Sequence, residues 1–276
     1  VATLETVAET GSAPESRLAE LRRGLSEQAD VVWALVLRET LTRFGKQRLG
    51  YLWALIEPTL VIALFYGSHT VADRRPPPGM DMFPFIATGV LPYTAFAHGA
   101  HRVAEAINAN RPLLYYPRVR PLDLVLGRAV LEAGTSGAAF LVIMGAHALA
   151  WQSLAVDDAL LVVLGMGLAA ALGGAVGLLF CGLGQLSPAA DRARGPMLRP
   201  LFWISGIFFT AEALPDGVRD GLLVNPVLHC TELVRDGWFD TYTDAHASVP
   251  YVLLWLAGVA VAGLALERVV RRRIEV

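Results

Sequence analysis

His98 and His101 stand three residues apart in an apolar stretch, a spacing that on a helix can turn two imidazoles toward one metal ion. No third ligand of the right kind lies beside them, so they are read as packing or interfacial residues, and no metal is expected. The other groups with chemical potential are charges inside apolar runs: Glu57 just before Pro58, Arg102 with Glu105, and Arg128 with Glu132. Ionisable groups within a membrane are functional candidates by default. Here the spacings of three and four within one helix favour local ion pairs near the inner interface over a proton relay. The sequence contains no GxxxxGK followed by Ser or Thr, no GxSxG and no HExxH. ATP binding through a P-loop is therefore excluded, and an embedded hydrolase has no support. The two cysteines, Cys181 in an apolar run and Cys230 in a polar-flanked loop, suggest neither a disulfide framework nor a zinc site.

The elements that must position these groups are membrane helices. The 276 residues are 54% hydrophobic and 17% charged, with a mean hydropathy of +0.48, whereas a soluble domain is about a quarter charged. The net charge of -2 gives no footprint for nucleic acid. The charges cluster between long apolar runs, because a charge at mid-membrane costs several kcal/mol. Runs near the ~20 residues that span a bilayer predict spans at about 51–72, 83–106, 122–150, 158–184, 196–213 and 249–267. The fifth is short and interrupted by Pro200 and Gly206. No cleavable signal peptide is expected, because the first sixteen residues are small, polar and acidic. Most of the 23 Lys and Arg fall in the N-terminal segment, between the second and third spans, before the fifth span and after the sixth. The positive-inside bias places both termini in the cytoplasm.

Residues 1–25 read as a disordered tail and 26–50 as an interfacial amphipathic helix, with Trp33, Leu37, Leu41 and Phe44 on one face. Glu39 precedes Arg43 by four, the favourable order for a helical pair. In the fourth span, Gly173 and Gly177 form a small-xxx-small pair, read as packing within the chain. The semi-apolar loop from about 214 to 248 predicts one or two short helices dipping into the outer leaflet.

Three segments carry a resemblance. RETLTRFGKQRLGYLWALIEP from Arg38, ANRPLLYYPRVRPLDLVLGRAVLEA from Ala109 and NPVLHCTELVRDGWF from Asn225 resemble permeases that export capsular polysaccharide. These are type 2 ABC exporters, relatives of O-antigen and teichoic acid permeases. The resemblance implies an all-α membrane protein with about six transmembrane helices over 51–276, an N-terminal interfacial helix and re-entrant periplasmic helices before the last span. It implies a homodimer in the bacterial inner membrane with two separate ATPase subunits. ATP and magnesium would belong to those subunits, with no cofactor in this chain. It also implies periplasmic and outer-membrane export partners and a lipid-linked capsular polysaccharide as substrate. The coupling segment would hold Arg111, Tyr115, Tyr116, Pro117 and Arg118, a compact aromatic, Pro-rich turn. The re-entrant region would form a periplasmic gate with Asn225, His229, Glu232 and Arg235.

A polymer must bind well enough to enter and weakly enough to slide, and aromatic rings stack on sugar faces without fixing register. Candidate channel residues are Trp53, Phe65, Tyr66, Phe202, Trp203, Phe208 and Phe209, the alternative for some being a lipid-facing belt. Phe202 and Phe209, seven apart, would share a helical face. Arg38, Arg43, Lys46 and Arg48 are candidates for the substrate entrance, with membrane anchoring the equal alternative. Competing readings are an exporter of O-antigen, teichoic acid or a small hydrophobic drug, a membrane-embedded glycosyl- or acyltransferase, and a non-catalytic scaffold.

Overall fold

Apolar runs of spanning length satisfy their backbone groups in hydrocarbon only as helices or closed barrels, and here they are helices. The computed structural model describes residues 17–45, 49–151 and 156–274. Among them the elements are α1 (Arg17–Gly45), α2 (Leu49–Val71), α3 (Met82–Ala104), α4 (Ala106–Ala109), α5 (Pro121–Trp151), α6 (Ala159–Leu186), α7 (Pro188–Ile204), α8 (Asp216–Leu222), α9 (Pro226–Trp238) and α10 (Val249–Ile274). Short 3-10 turns lie at Arg111–Tyr115 and Ala211–Ala213, and no strand occurs among the described residues. Four helices are long and apolar enough to cross a membrane: α2 over Leu52–Val71, α5, α6 and α10 over Val249–Arg271.

The expected second span is α3. Its 23 residues reach about 34 Å, but His98, His101, Arg102, Pro84 and Pro92 lower its hydropathy. Position explains that composition: α3 is the central helix, buried along most of its length against α5, α6 and α9, so it needs less apolar surface than a helix in lipid. The crossing with α6 depends on glycine. A Cβ at Gly173 would lie 2.3 Å from the Phe96 carbonyl oxygen, and one at Gly177 would lie 2.6 Å from Val103. The small-residue pair therefore serves packing within the chain, as expected.

Three expectations change. The tail expected over 1–25 is helical from Arg17, which lengthens α1 toward its N-terminus; residues 1–16 lie outside the described part. In place of the fifth span expected at 196–213 stands helix α7, Pro188 to Ile204, which is not among the four helices long and apolar enough to cross a membrane. Gly206 then takes φ +75, a left-handed turn open to glycine, and a Cβ there would meet Leu228 at 2.6 Å. Among the described residues, Arg128, Arg102 and Glu105 pair across elements and not within their own helix: Arg128 with Glu39, Arg102 with Glu132 at 3.9 Å and Glu105 with Arg194 at 2.8 Å. Glu39 thus meets α5 across the helix interface; the side chain of Arg43 is outside the described part. The two short helices expected in the 214–248 loop are α8 and α9.

Candidate functional site

The break after α7 creates orphan carbonyls, and α9 supplies their donors. Asn225 caps the start of α9 through Val227 N, while its amide donates to Ile204 O at 3.1 Å and Ser205 Oγ at 3.0 Å. Thr231 donates to Ser205 O at 2.7 Å. Arg235 donates to Gly206 O at 2.6 Å, Phe209 O at 3.0 Å and Glu232 at 2.8 Å, and its guanidinium sits 4.5 Å over the Phe85 ring. Its Nε has no partner among the described residues. Tyr242 donates to the other oxygen of Glu232. Burial and the Glu232 carboxylate push the Tyr242 hydroxyl well above its ordinary range, which keeps it a donor. His229 contacts Leu223 O at 2.8 Å and accepts from Ser248 N at 3.2 Å. All four residues expected at a periplasmic gate thus lie in α9 or its cap and are buried, with Glu232 and Arg235 at 0% exposure. They hold the bend at 204–209 and tie α9 to the chain leading into α10.

That bend turns aromatic side chains toward α2. Phe208 lies 4.5 Å from Phe65 and 5.4 Å from Trp203, and Phe65 lies 5.8 Å from Phe202. The edge-on meeting of Phe65 with Phe208 is a geometry that aromatic quadrupoles prefer. Tyr93 of α3 joins through Phe202 at 5.2 Å and donates to Leu198 O. His69 stacks on Phe208. Trp203 is the outermost member, 61% exposed. Of the seven expected channel aromatics, Phe65, Phe202, Trp203 and Phe208 gather here. Tyr66 turns toward Phe83 of α3. Trp53 lies twelve residues before Phe65, about 18 Å along the helix. Phe209 follows the end of α7 and so does not share a helical face with Phe202; its carbonyl is an acceptor for Arg235. Tyr93 was missed because it sits in a nearly continuous apolar helix, where a lone hydroxyl is the only signal.

At the other end of the bundle, Leu113 and Leu114 of the 3-10 turn pack on Val103, Ile107, Leu124, Leu178 and Cys181. That inward pair forces the next two residues outward: Tyr115 is 90% and Tyr116 63% exposed. Arg111, Pro117 and Arg118 are exposed beside them. Asn110, at the root of this turn, accepts from Arg38 at 3.3 Å and donates to Glu39 at 3.4 Å, and Glu39 also holds Arg128 of α5. Helix α1 is therefore bonded to the turn. One of its faces, with Leu35 and Val36, packs inward, and the other presents Trp33, Leu37 and Leu41 without a partner among the described residues. Of the expected entrance residues, Arg38 is exposed and bonded to Asn110; Lys46, Arg48 and the side chain of Arg43 lie outside the described part. His98 bonds Glu57 and His101 lies near Arg194, and no group of three metal-ligating side chains forms among the described residues.

A helical membrane subunit with a braced turn at one end of the bundle and a broken helix before a buried short one defines a class. Residues 30–239 match the ABC-2 type transporter family, and the chain belongs to that family. Among its relatives, the polysialic acid transport protein KpsM of Escherichia coli is 33% identical over 247 residues, covering 90% of this chain and 96% of the relative. The capsule polysaccharide export inner-membrane protein BexB of Haemophilus influenzae is 27% identical over 256 residues, covering 92% and 96%. The protein of the same description, CtrC, from Neisseria meningitidis is 29% identical over 246 residues, covering 88% and 91%.

Proposed function

We propose that this chain is the transmembrane subunit of an ATP-driven exporter of capsular polysaccharide, acting as a homodimer with two separate ATPase subunits. The observation that carries this reading is the similarity to capsule-export membrane proteins over nearly their whole length. The chain is a permease and not an enzyme; ATP and magnesium belong to the partner. The substrate is a lipid-linked, anionic glycan, received from the cytoplasmic side and passed to periplasmic and outer-membrane proteins.

The geometry supports a division of labour. The exposed Tyr115–Tyr116 turn docks on the ATPase. Its root, Asn110, transmits displacement to α1 and α5 through Arg38, Glu39 and Arg128. The Phe65, Phe202, Trp203 and Phe208 cluster lines the polymer path, and Trp203 offers a ring plane to sugars at about 1 kcal/mol per contact. Arg38, Arg43, Lys46 and Arg48 receive the acidic end of the polymer. A single copy cannot enclose a hydrated glycan, and two copies about a twofold axis can.

With α3 and α7 added to the four apolar helices, the subunit has six membrane segments and both termini in the cytoplasm. Helix α9 is re-entrant. It packs beside α6 as deep as Gly165, where a Cβ would lie 2.7 Å from Val234, and such an element is tolerated at membrane depth because protein buries it. Asn225, His229, Glu232 and Arg235 act at the periplasmic gate by holding its backbone. Cysteines placed near Pro77 and Asp244 label from the periplasm, and one after Arg273 does not; labelling of the last in intact cells overturns this topology.

The function is tested in inverted membrane vesicles from capsule-producing cells. Vesicles holding this chain and its ATPase accumulate polymer on ATP addition, and vesicles lacking either do not. Unchanged accumulation without this chain overturns the reading.

A further inference from the structure

The central helix α3 is buried along most of its surface, yet one stripe is not. Thr94, His98, His101, Arg102 and Glu105 follow one another at spacings of four, three, one and three, and all are partly or fully exposed. On the α2 side, His98 bonds Glu57 at 3.4 Å, with 25% and 46% of the two side chains exposed. Arg102, 39% exposed, lies 3.9 Å from buried Glu132 of α5. On the α7 side, Arg194 bonds Glu105 at 2.8 Å, and His101 stands within electrostatic reach of Arg194 and Arg199. Trp53, 59% exposed, edges the stripe on α2.

These groups belong to membrane helices, and Glu57 falls inside the apolar span Leu52–Val71. A charged group facing hydrocarbon costs several kcal/mol, so such groups face protein or a water-filled space. The recess lined by Trp53, Glu57, Thr94, His98, Arg102 and Glu132 holds only about 20 Å³, room for one water and no sugar. A ligand would therefore lie over the open stripe and not inside the recess. The chemistry of the stripe is that of a glycan site: an indole plane for a sugar ring, a carboxylate to accept from hydroxyls, and imidazole and guanidinium donors for hydroxyls and carboxylates.

We infer that the open stripe of α3 between α2 and α7 is a water-filled sugar-binding groove at the cytoplasmic half of the path, where Trp53 stacks on a ring of the polymer and Glu57, His98 and Arg102 hydrogen-bond it. This rests on the export reading above and adds a polar station ahead of the aromatic cluster. The ion pairs hold the side chains in place while no polymer is present, and their half-exposed faces leave bonding capacity for a sliding strand.

The test uses the full chain with its ATPase in inverted vesicles, without ATP, and a membrane-impermeant methanethiosulfonate reagent. The unsubstituted chain sets the background, since Cys181 and Cys230 are buried. His98→Cys and Thr94→Cys, one turn apart on the stripe, label in vesicles from cells that make no polymer. Both lose labelling in vesicles from polymer-producing cells. Leu141→Cys, on a 72% exposed apolar position of α5, labels in neither. Glu57→Gln lowers export roughly tenfold, the worth of one charge-assisted hydrogen bond, with ATPase copurification unchanged. Two results overturn the groove: stripe cysteines as inert as Leu141→Cys, whether lipid or a disulfide to the second copy covers them, and stripe cysteines that label equally with and without polymer. Failure of the unsubstituted chain to move polymer overturns the export reading instead, and is read in a separate transport assay.

Discussion

The two ends of the helix bundle carry their charges in opposite ways. At the bend after α7, Arg235 and Glu232 are wholly buried, and both terminal nitrogens of Arg235 are committed to fixed carbonyls or to Glu232. In the half that carries the Arg111–Tyr115 turn, Glu57, His98, Arg102 and Glu105 are part-exposed and pair with other elements. A buried network with one geometry holds a shape. A layer of half-exposed pairs can exchange partners for water, sugar or each other at little cost. The first network fixes one geometry, and the second is built so that its partners can rearrange.

The largest effect expected from this contrast falls on the first network. Arg235→Met strands Glu232 as an unpaired buried charge and leaves the Gly206 and Phe209 carbonyls without donors. It should lower stability by about 3–5 kcal/mol, read as lost monodisperse protein and a lowered Tm in detergent. Adding Glu232→Leu should recover part of that loss, because replacing a buried pair by apolar groups costs less than breaking it. A single Arg235→Met with unchanged Tm would break the comparison at its stronger side.

Next in size is the α3–α6 crossing. Gly173→Leu drives a side chain into the Phe96 backbone, which cannot yield as a side-chain tip would. A loss of about 3 kcal/mol, the upper range for overpacking, is expected. Gly167→Ala on the same helix meets nothing within 4 Å and should be neutral or slightly stabilising. Equal melting of the two variants would show that α3 and α6 do not cross at Gly173.

The part-exposed pairs should matter less for stability. Glu39→Gln removes the carboxylate shared by Arg128 and Asn110, with a loss of about 1 kcal/mol in the fold. Its larger consequence should be weaker coupling of ATP hydrolysis to polymer movement, measured as polymer accumulated per ATP hydrolysed. The smallest effect on the fold belongs to Tyr115→Ala with Tyr116→Ala. Both rings are exposed, so Tm should not change, while copurification of the ATPase should fall sharply. A lowered Tm with the ATPase still bound would make the turn a structural cap and not a docking surface.

Much of this was legible in the sequence. The apolar runs placed α2, α3, α5 and α6 within two residues and the start of α10 at Val249, while α10 runs seven residues past the end expected at 267. The Arg111–Arg118 turn stood out by its paired tyrosines and prolines. The end of α7 was not legible. Residues after Ile204 stay apolar, and what stops the helix is Gly206 together with donors from Asn225, Thr231 and Arg235, some 20 to 30 residues away in the chain. Ion-pair partners were misjudged for a similar reason. Spacing within one helix offers Arg128 to Glu132 and Arg102 to Glu105, but adjacency of α1, α3, α5 and α7 offers Glu39 to Arg128 and Arg194 to Glu105. The aromatic types that suit a sugar path were visible; that Phe208 folds back to meet Phe65, Phe202 and Trp203 follows from the bend after Ile204, and that Trp53 stands apart follows from its distance along α2.

The central claim is that the aromatic surface around Trp203 faces the polymer and not lipid. Reaction of a Trp203→Cys variant with a water-soluble thiol reagent, in the assembled complex with and without polymer, tests it most directly. The thiol should label in the empty channel and be shielded when polymer fills it, with export slowed in Trp203→Ala while the ATPase stays bound. An inert thiol in every state, together with full export by Trp203→Leu, would contradict it and move the lining away from α7.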